Sequence, residues 1–172
     1  VSRLNHRGVR AGGICGKDAG LIRAKKKLAT VYDGDDAKKV DIGYVGEVEA
    51  VDTGLLDDLI DHDYIPVIAP IGVDDEGASY NINADYVAAE IAGALHAEKL
   101  LLLTDIEGVY KDYHDKDTFI STLHQAEARE YIKTGIIEGG MIPKIEACLK
   151  ALDAGAVKAH IIDGRLAHSI LL

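Results

Sequence analysis

The chain has 172 residues, of which 48% are hydrophobic and 28% charged. This composition argues against intrinsic disorder, and the length predicts one domain over residues 1–172. The formal net charge of -10 would repel a phosphate backbone, which argues against nucleic acid as a partner. No run approaches the roughly 20 apolar residues of a membrane helix, so no membrane partner is expected.

Residues 1–52 are rich in glycine and β-branched residues, with turn signals at DAG (18–20) and DGDD (33–36). This pattern predicts a hairpin-rich amino-terminal subregion. From residue 53 helical and strand patterns alternate, which is typical of an α/β fold with a mostly parallel sheet.

The alternating region predicts a series of helices and strands. TGLLDDLIDHD (53–63) predicts a short helix and YIPVIAP (64–70) a buried strand, followed by a helix that begins behind Asn83, a good N-cap residue. KLLLLTD (99–105) is an apolar run, as expected for a parallel strand covered on both faces. A helix near 123–133, a helix from Met141 to Leu152 with Gly155 at C′, and the strand AHIID (159–163) complete the series.

Two of the predicted strands end in a carboxylate, Asp105 and Asp163. Open α/β sheets bind ligands outside the carboxyl ends of their strands, so these residues are candidate ligand contacts. Taken singly, each is better explained as a carboxylate that caps a turn.

The segment GGMIPK places Gly139 and Gly140 before a helix whose first turn holds Pro143 and Lys144. A cation at the positive end of a helix costs about 0.3 to 1 kcal/mol at an exposed site, and a bound anion would remove this conflict. Glycines let backbone N–H groups approach a phosphate closely. The alternative is a solvated lysine whose side chain turns away from the helix end.

The segment NINAD places Asn81, Asn83 and Asp85 at alternate positions before a helix. In an extended segment all three could face one side and bind a polar ligand. The alternative gives Asn83 the role of N-cap and lets Asp85 complement the helix dipole.

Other kinds of site find no support in the sequence. Cys15 and Cys148 form no CxxC unit, which predicts reduced thiols and a cytoplasmic location. The seven histidines lack metal-ligand spacing, so no protein-bound metal is predicted.

Read together, GKDAGLIRAKK, DIGYVGEV, IPVIAPIG, YNINAD, KLLLLTDIEGVY, GGMIPK and HIIDGR resemble the N-acetylglutamate kinases of the amino acid kinase family. The resemblance covers nearly the whole chain and is to the carboxyl-terminal portion of these enzymes. It implies a truncated open αβα sandwich that uses ATP with Mg²⁺. The implied reaction phosphorylates the side-chain carboxylate of N-acetyl-L-glutamate, an early step of arginine biosynthesis.

The resemblance also assigns roles to residues. Lys144 resembles the lysine that stabilises the transferring phosphoryl group, and Asp85 the carboxylate that orients catalytic lysines. Asn81 resembles a substrate ligand, with Asn83 beside it. The residues that resemble the walls of the nucleotide site are Asp105, Ile106, Glu107, Gly108, Val109, Tyr110, Ile136, Ile137 and Glu138.

Departures from the family limit what the isolated chain is expected to do. The family's second catalytic lysine and substrate-binding arginine belong to an amino-terminal half with no counterpart here, so we expect no turnover. Another amino acid kinase, such as glutamate 5-kinase or aspartokinase, is an alternative, although YNINAD and GGMIPK favour the acetylated substrate. A further alternative is a catalytically silent module that binds nucleotide or a PII-type regulator. A homo-oligomer is also expected.

Overall fold

The computed structural model describes residues 1–34, 36–112 and 114–171. These residues form two compact units, 1–87 and 88–172, and the single domain expected from the sequence stays a prediction. Asp35 of the predicted DGDD turn lies outside the described residues. Among the residues described, no helix is long and apolar enough to cross a membrane.

The first unit contains a small parallel sheet of two strands. Strand β1 (Ala11–Cys15) pairs with β4 (Ile65–Ala69) from Ala11 opposite Ile65 to Cys15 opposite Ala69. Helix α1 (Ser2–His6) precedes β1, and α2 (Gly54–Asp61) packs against β4 and buries Leu56. The helix predicted over 53–63 is therefore confirmed.

Helix α1 is an element that the sequence pattern of the hairpin-rich residues 1–52 did not predict. The side chain of Asn5 holds this single turn against β1. Its amide nitrogen donates to the carbonyl oxygen of Ala11 at 3.1 Å, and its oxygen accepts from the Ala11 N–H at 2.7 Å.

The predicted amino-terminal hairpin is confirmed as β2 (Ile22–Asp33) and β3 (Asp36–Val51). With β5 (Ile71–Val73) and β6 (Ser79–Asn81) these strands form a ring in the order β2–β3–β6–β5, closed by pairing of β5 with β2. Packing inside the ring is tight at Gly46, where an added Cβ would lie 2.6 Å from the Cβ of Tyr80. Only glycine fits there, because real Cβ atoms do not approach so closely.

The hairpin continues past the ring as a two-stranded ribbon, residues 28–33 and 36–42, which we call the β2–β3 ribbon. Its apolar side chains are exposed on both faces; they are Leu28, Val31, Tyr32, Val40 and Ile42.

The second unit begins within α3 (Ala84–Ala94) and contains a parallel pair of strands. Strand β7 (Lys99–Thr104) pairs with β10 (Lys158–Asp163), from Lys99 opposite Lys158 to Thr104 opposite Asp163. Between them lie β8 (Val109–Tyr110), β9 (Phe119–Ile120), α4 (Gln125–Lys133) and α5 (Met141–Asp153). The predicted helices and strands of this region are thus confirmed, including Gly155 after α5 with φ +115°.

Helix α5 supplies the core of the second unit by packing against β10 and β7. Ile145 and Leu149 of α5 form a cluster with Ala128 and Ile137, all buried, and Ile161 of β10 packs on it. A four-residue connection, 154–157, reverses the chain, so α5 runs antiparallel to β10.

Two expectations about strand burial were wrong. In β7, Leu100 and Leu102 are buried on the face that α5 covers, but Leu103 on the opposite face is 53% exposed. No residue of β4 is fully buried, and Ile65 is 50% exposed. Within the described residues β4 has one partner strand, β1, and α2 as a neighbour, which leaves much of its surface accessible.

Candidate functional site

The NINAD segment lies in the first unit, where β6 leads into α3. Asn81 pairs with Ile71 and Val45, and its side chain is exposed. The side-chain oxygen of Asn83 accepts hydrogen bonds from the backbone N–H groups of residues 85 and 86 at 2.9 and 3.3 Å. Asn83 is therefore the N-cap of α3, as its residue type predicts.

The sequence predicted that the three polar residues of this segment face one side, and this holds for only two of them. Asn81 and Asn83 flank the buried Ile82 and are both exposed. Asp85 lies in the first turn of α3 and is half-buried. A helix turns about 100° per residue, so Asp85 does not continue the alternation of the two asparagines.

The second unit brings the predicted strand ends together. Because β7 and β10 are parallel and in register to their last residues, Thr104 lies opposite Asp163. The N–H of Gly164 donates to the carbonyl oxygen of Thr104 at 2.8 Å, which joins the two loops that follow. We call this end of the strand pair, with its following loops, the carboxyl edge.

Asp163 at this edge is buried and is bound by one arginine. The Nε and Nη2 atoms of Arg165 donate to its two carboxylate oxygens at 2.9 and 2.8 Å, and the Arg165 backbone N–H donates at 2.9 Å. These side-chain hydrogen bonds are the main reason why the pKa of Asp163 falls to about 2. The carboxylate therefore holds the loop after β10, in agreement with the turn-capping alternative.

Asp105, the other strand-end carboxylate, is exposed and accepts a 3.3 Å hydrogen bond from the Thr104 hydroxyl. Hydrogen bonding to Asp163 is the main cause of a raised pKa at Arg165, and the charges of Asp105 and Glu107 add to it. The carboxyl edge is thus one electrostatic cluster.

The amino end of α5 lies at the same edge. Helix α5 has 13 residues and β10 has six, so both are about 20 Å long. An antiparallel helix of equal length that packs on the sheet begins level with the strand's last residue. The first turn, Met141 to Lys144, is therefore beside the carboxyl edge, and Lys144 is half-buried there.

The glycines before α5 leave open space at its amino end. Gly139 has φ +55°, a conformation that favours glycine, and an added Cβ at Gly139 or Gly140 would meet no atom within 4 Å. Helix amino ends with accessible backbone attract anions.

The two stretches predicted to form nucleotide-site walls, 105–110 and 136–138, approach each other in the second unit. Val109 packs on the cluster that contains Ile137, and Ile137 is only 3% exposed. These two side chains pack in the core beneath the predicted nucleotide-site wall. Ile136 and Glu138 are exposed, whereas Gly108 and Tyr110 are buried and Ile106 is half-buried.

The structure adds Lys116, which the sequence did not indicate as a site residue. Its Nζ lies 3.0 Å from Oε2 of Glu107 and 4.6 Å from the ring centroid of Tyr110. The Tyr110 hydroxyl donates to the same Glu107 oxygen at 2.5 Å, which is the main cause of a lowered pKa at Glu107 and a raised pKa at Tyr110. Lys116 lies in a loop without periodic pattern, so no sequence signal pointed to it.

The residues of the carboxyl edge suit a nucleotide better than an all-protein metal site. In the described ranges, no three His, Cys, Asp or Glu side chains group closely enough to hold a metal ion. Mg²⁺ is usually bound through substrate phosphates and water with one or two carboxylates, so ATP can carry it into such a site. The open space at the glycine pair and the half-buried Lys144 lie at the end of α5 that the sequence predicted to bind phosphate.

A model of the amino acid kinase family matches residues 1–163. The chain belongs to the amino acid kinase family. It is similar to the acetylglutamate kinase of Moorella thermoacetica, with 51% identity over all 172 residues and 58% of that protein covered. The curated relatives that it matches are longer, and the chain spans between 55% and 60% of their length.

Solved structures agree with the fold. N-acetylglutamate synthase from Neisseria gonorrhoeae, complexed with coenzyme A and N-acetyl-glutamate, has a TM-score of 0.78 at 25% identity, with 99% of this chain and 36% of that chain covered. The Streptococcus mutans UA159 protein smu.665 has a TM-score of 0.73 at 31% identity, with 94% and 60% covered. The predicted α/β fold of the amino acid kinase type is therefore confirmed.

Proposed function

We propose that this chain is the nucleotide-binding part of an enzyme that transfers a phosphoryl group from ATP to the side-chain carboxylate of N-acetyl-L-glutamate, in arginine biosynthesis. The feature that carries the proposal is the amino end of α5, with Lys144 and an open glycine pair. The lengths of α5 and β10, which pack together, put this end level with the carboxyl edge. The similarity to acetylglutamate kinases supports the choice of acceptor.

Phosphoryl transfer needs alignment of the reactants and neutralisation of charge more than covalent help from the protein. Lys144 offsets the negative charge that develops on the transferring group. The backbone N–H groups of Gly139 and Gly140, just before α5, orient the phosphate oxygens, because those of Met141 and Ile142 donate to the carbonyl oxygens of Glu138 and Gly139. Mg²⁺ bound to ATP supplies further charge neutralisation. Because Ile145 is buried, α5 holds Lys144 in a fixed place for this task.

The nucleotide lies against the stretches 105–110 and 136–138 in this proposal. Of their exposed members, Asp105, Ile136 and Glu138 are available for contact, whereas Glu107 borders the nucleotide with its carboxylate held by Tyr110 and Lys116. Val109 and Ile137 act indirectly, since they shape the wall from the core.

The acceptor is assigned to the NINAD segment of the first unit. The exposed amide of Asn81 binds N-acetyl-L-glutamate, and Asp85 orients the catalytic lysines. Asn83 contributes mainly by fixing the start of α3, because its side-chain oxygen is used in the N-cap.

The experiment measures two properties of the purified chain. Isothermal titration calorimetry with MgATP measures binding, and trapping of acetylglutamyl phosphate as hydroxamate measures turnover. We expect binding without turnover, because the resemblance implies a second catalytic lysine and a substrate arginine that match no residue of this sequence. Failure to bind MgATP would refute the proposal, whereas hydroxamate formation would show that the chain alone is active.

A silent nucleotide-binding module would also bind without turnover, so a full-length protein that contains this chain separates the two functions. Phosphorylation of N-acetyl-L-glutamate in preference to L-glutamate and L-aspartate supports the proposed enzyme and its acceptor. Absence of transfer to any of the three supports the silent module. Three further parts of the proposal have different grounds. A PII-type regulator rests on the resemblance, a homo-oligomer on exposed apolar surface, and a cytoplasmic location on the cysteine pattern.

A further inference from the structure

Three carboxylates lie at the carboxyl edge, close to the nucleotide wall. Asp105 and Glu107 lie in the loop that directly follows β7, and Asp163 ends the neighbouring strand β10, where it pairs with Arg165. The charges of all three carboxylates raise the pKa of Arg165. Arg165 already uses two side-chain N–H groups on Asp163. A nucleoside triphosphate that approaches this edge therefore meets the carboxylates of Asp105 and Glu107.

Lys116 forms an ion pair with one of these carboxylates, that of Glu107. Its Nζ lies 3.0 Å from Glu107 Oε2 and 3.5 Å from the Tyr110 hydroxyl. The Tyr110 ring below it is itself fixed, because it packs edge-on against Phe119 with the ring centroids 5.3 Å apart. Glu107 is thus held between a phenol and an ammonium group.

The described part of the loop that carries Lys116, residues 111–112 and 114–118, is braced by its own hydrogen bonds. The Thr118 hydroxyl lies 2.9 and 2.6 Å from the carbonyl oxygens of Asp112 and Asp115, which share its one donor hydrogen. The side chain of Asp115 accepts from the Asp117 N–H at 3.0 Å and caps the short turn that begins with Lys116. A braced backbone presents the lysine at a defined position, which reduces the entropy lost when its side chain pairs with Glu107.

We propose that Lys116 is a positioning residue of the nucleotide site, which holds Glu107 against Tyr110 and offsets its charge so that a nucleoside triphosphate can approach the carboxyl edge. This inference rests on the proposed nucleotide-binding function. Lys116 acts through Glu107 and does not contact the phosphates. Removal of Lys116 leaves the Glu107 carboxylate to repel the ligand.

The test measures MgATP affinity by calorimetry at low and high salt, with a thermal melt of each variant. Lys116→Ala should weaken binding about 3- to 10-fold at low ionic strength, and the loss should shrink in high salt because both charges are exposed to solvent. Lys116→Arg should retain affinity. Lys111→Ala is the matched control, since it removes a cation from the same loop without touching Glu107.

The double variant Lys116→Ala with Glu107→Gln decides the mechanism. If Lys116 acts by offsetting Glu107, the double variant binds MgATP as tightly as Glu107→Gln alone. A double variant as weak as Lys116→Ala would overturn the positioning role, because Lys116 would then contact the phosphates directly. If wild type binds MgATP and Lys116→Ala binds it equally well, the role of Lys116 is refuted but the proposed nucleotide-binding function is not. Wild-type chain that binds no MgATP would refute the proposed function and the inference with it.

Discussion

Ile145 follows Lys144 in α5 and tests whether a packed core holds the amino end of this helix. The residue is 5% exposed and belongs to the cluster with Ala128, Ile137 and Leu149. Ile145→Ala removes three buried carbon atoms and should lower the free energy of unfolding by about 2 to 5 kcal/mol. For a chain of this length that corresponds to a fall in Tm of about 4 to 20 °C.

The matched variant Ile145→Val removes one methylene group and should cost about 0.5 to 1.5 kcal/mol. Urea denaturation followed by circular dichroism measures both variants, and calorimetry measures their MgATP affinity. We expect the alanine variant to bind more weakly, because a loosened α5 no longer fixes Lys144. If alanine destabilises no more than valine, Ile145 does not fill a packed core and the reasoning is wrong.

Three further outcomes are expected. In Gly93→Ala an added Cβ would lie 2.4 Å from the Cβ of Ala154, so thermal melts should show that the free energy of unfolding falls by about 1 to 3 kcal/mol. The control is Gly12→Ala, where the added Cβ meets no atom within 4 Å and the free energy of unfolding should change little. Asp163 has a lowered pKa of about 2, so its stabilising effect is present above about pH 4 and lost as the pH falls through 2. The difference in free energy of unfolding between wild type and Asp163→Asn should therefore shrink over that range. A constant difference would contradict the ion pair. Light scattering should show association that increases with concentration, because the β2–β3 ribbon exposes apolar side chains, and a monomer at every concentration would contradict this.

The sequence was sufficient to predict most helices and strands because their apolar positions recur at helical or strand spacing. The helix after Asn83 and the helix that ends before Gly155 are examples, since each also carries a capping signal at one end. The position of Lys144 in the first turn of α5 followed from the same reasoning. Its place at the carboxyl edge needed the register of β7 and β10.

Features that depend on contacts between distant residues could not be predicted. A single turn such as α1 has too few positions to show a period, and it is held by the side chain of Asn5. An apolar run does not reveal which face is covered, so the exposure of Leu103 was missed. Lys116 follows Glu107 by nine residues in the sequence, and only the folded loop brings their side chains together. Ile137 is buried in the core, although its neighbour Ile136 is exposed.

The most direct test of the central claim is Lys144→Ala in a full-length protein that contains this chain. Loss of one preorganised charge-stabilising donor should lower kcat about 10²- to 10³-fold for transfer from ATP to N-acetyl-L-glutamate, with a smaller effect on KM. The Tm should not fall, because the change removes a cation that opposes the helix dipole and adds a strong helix former. Full turnover in the variant, or a loss of activity explained by unfolding, would contradict the placement of the phosphate beside Lys144.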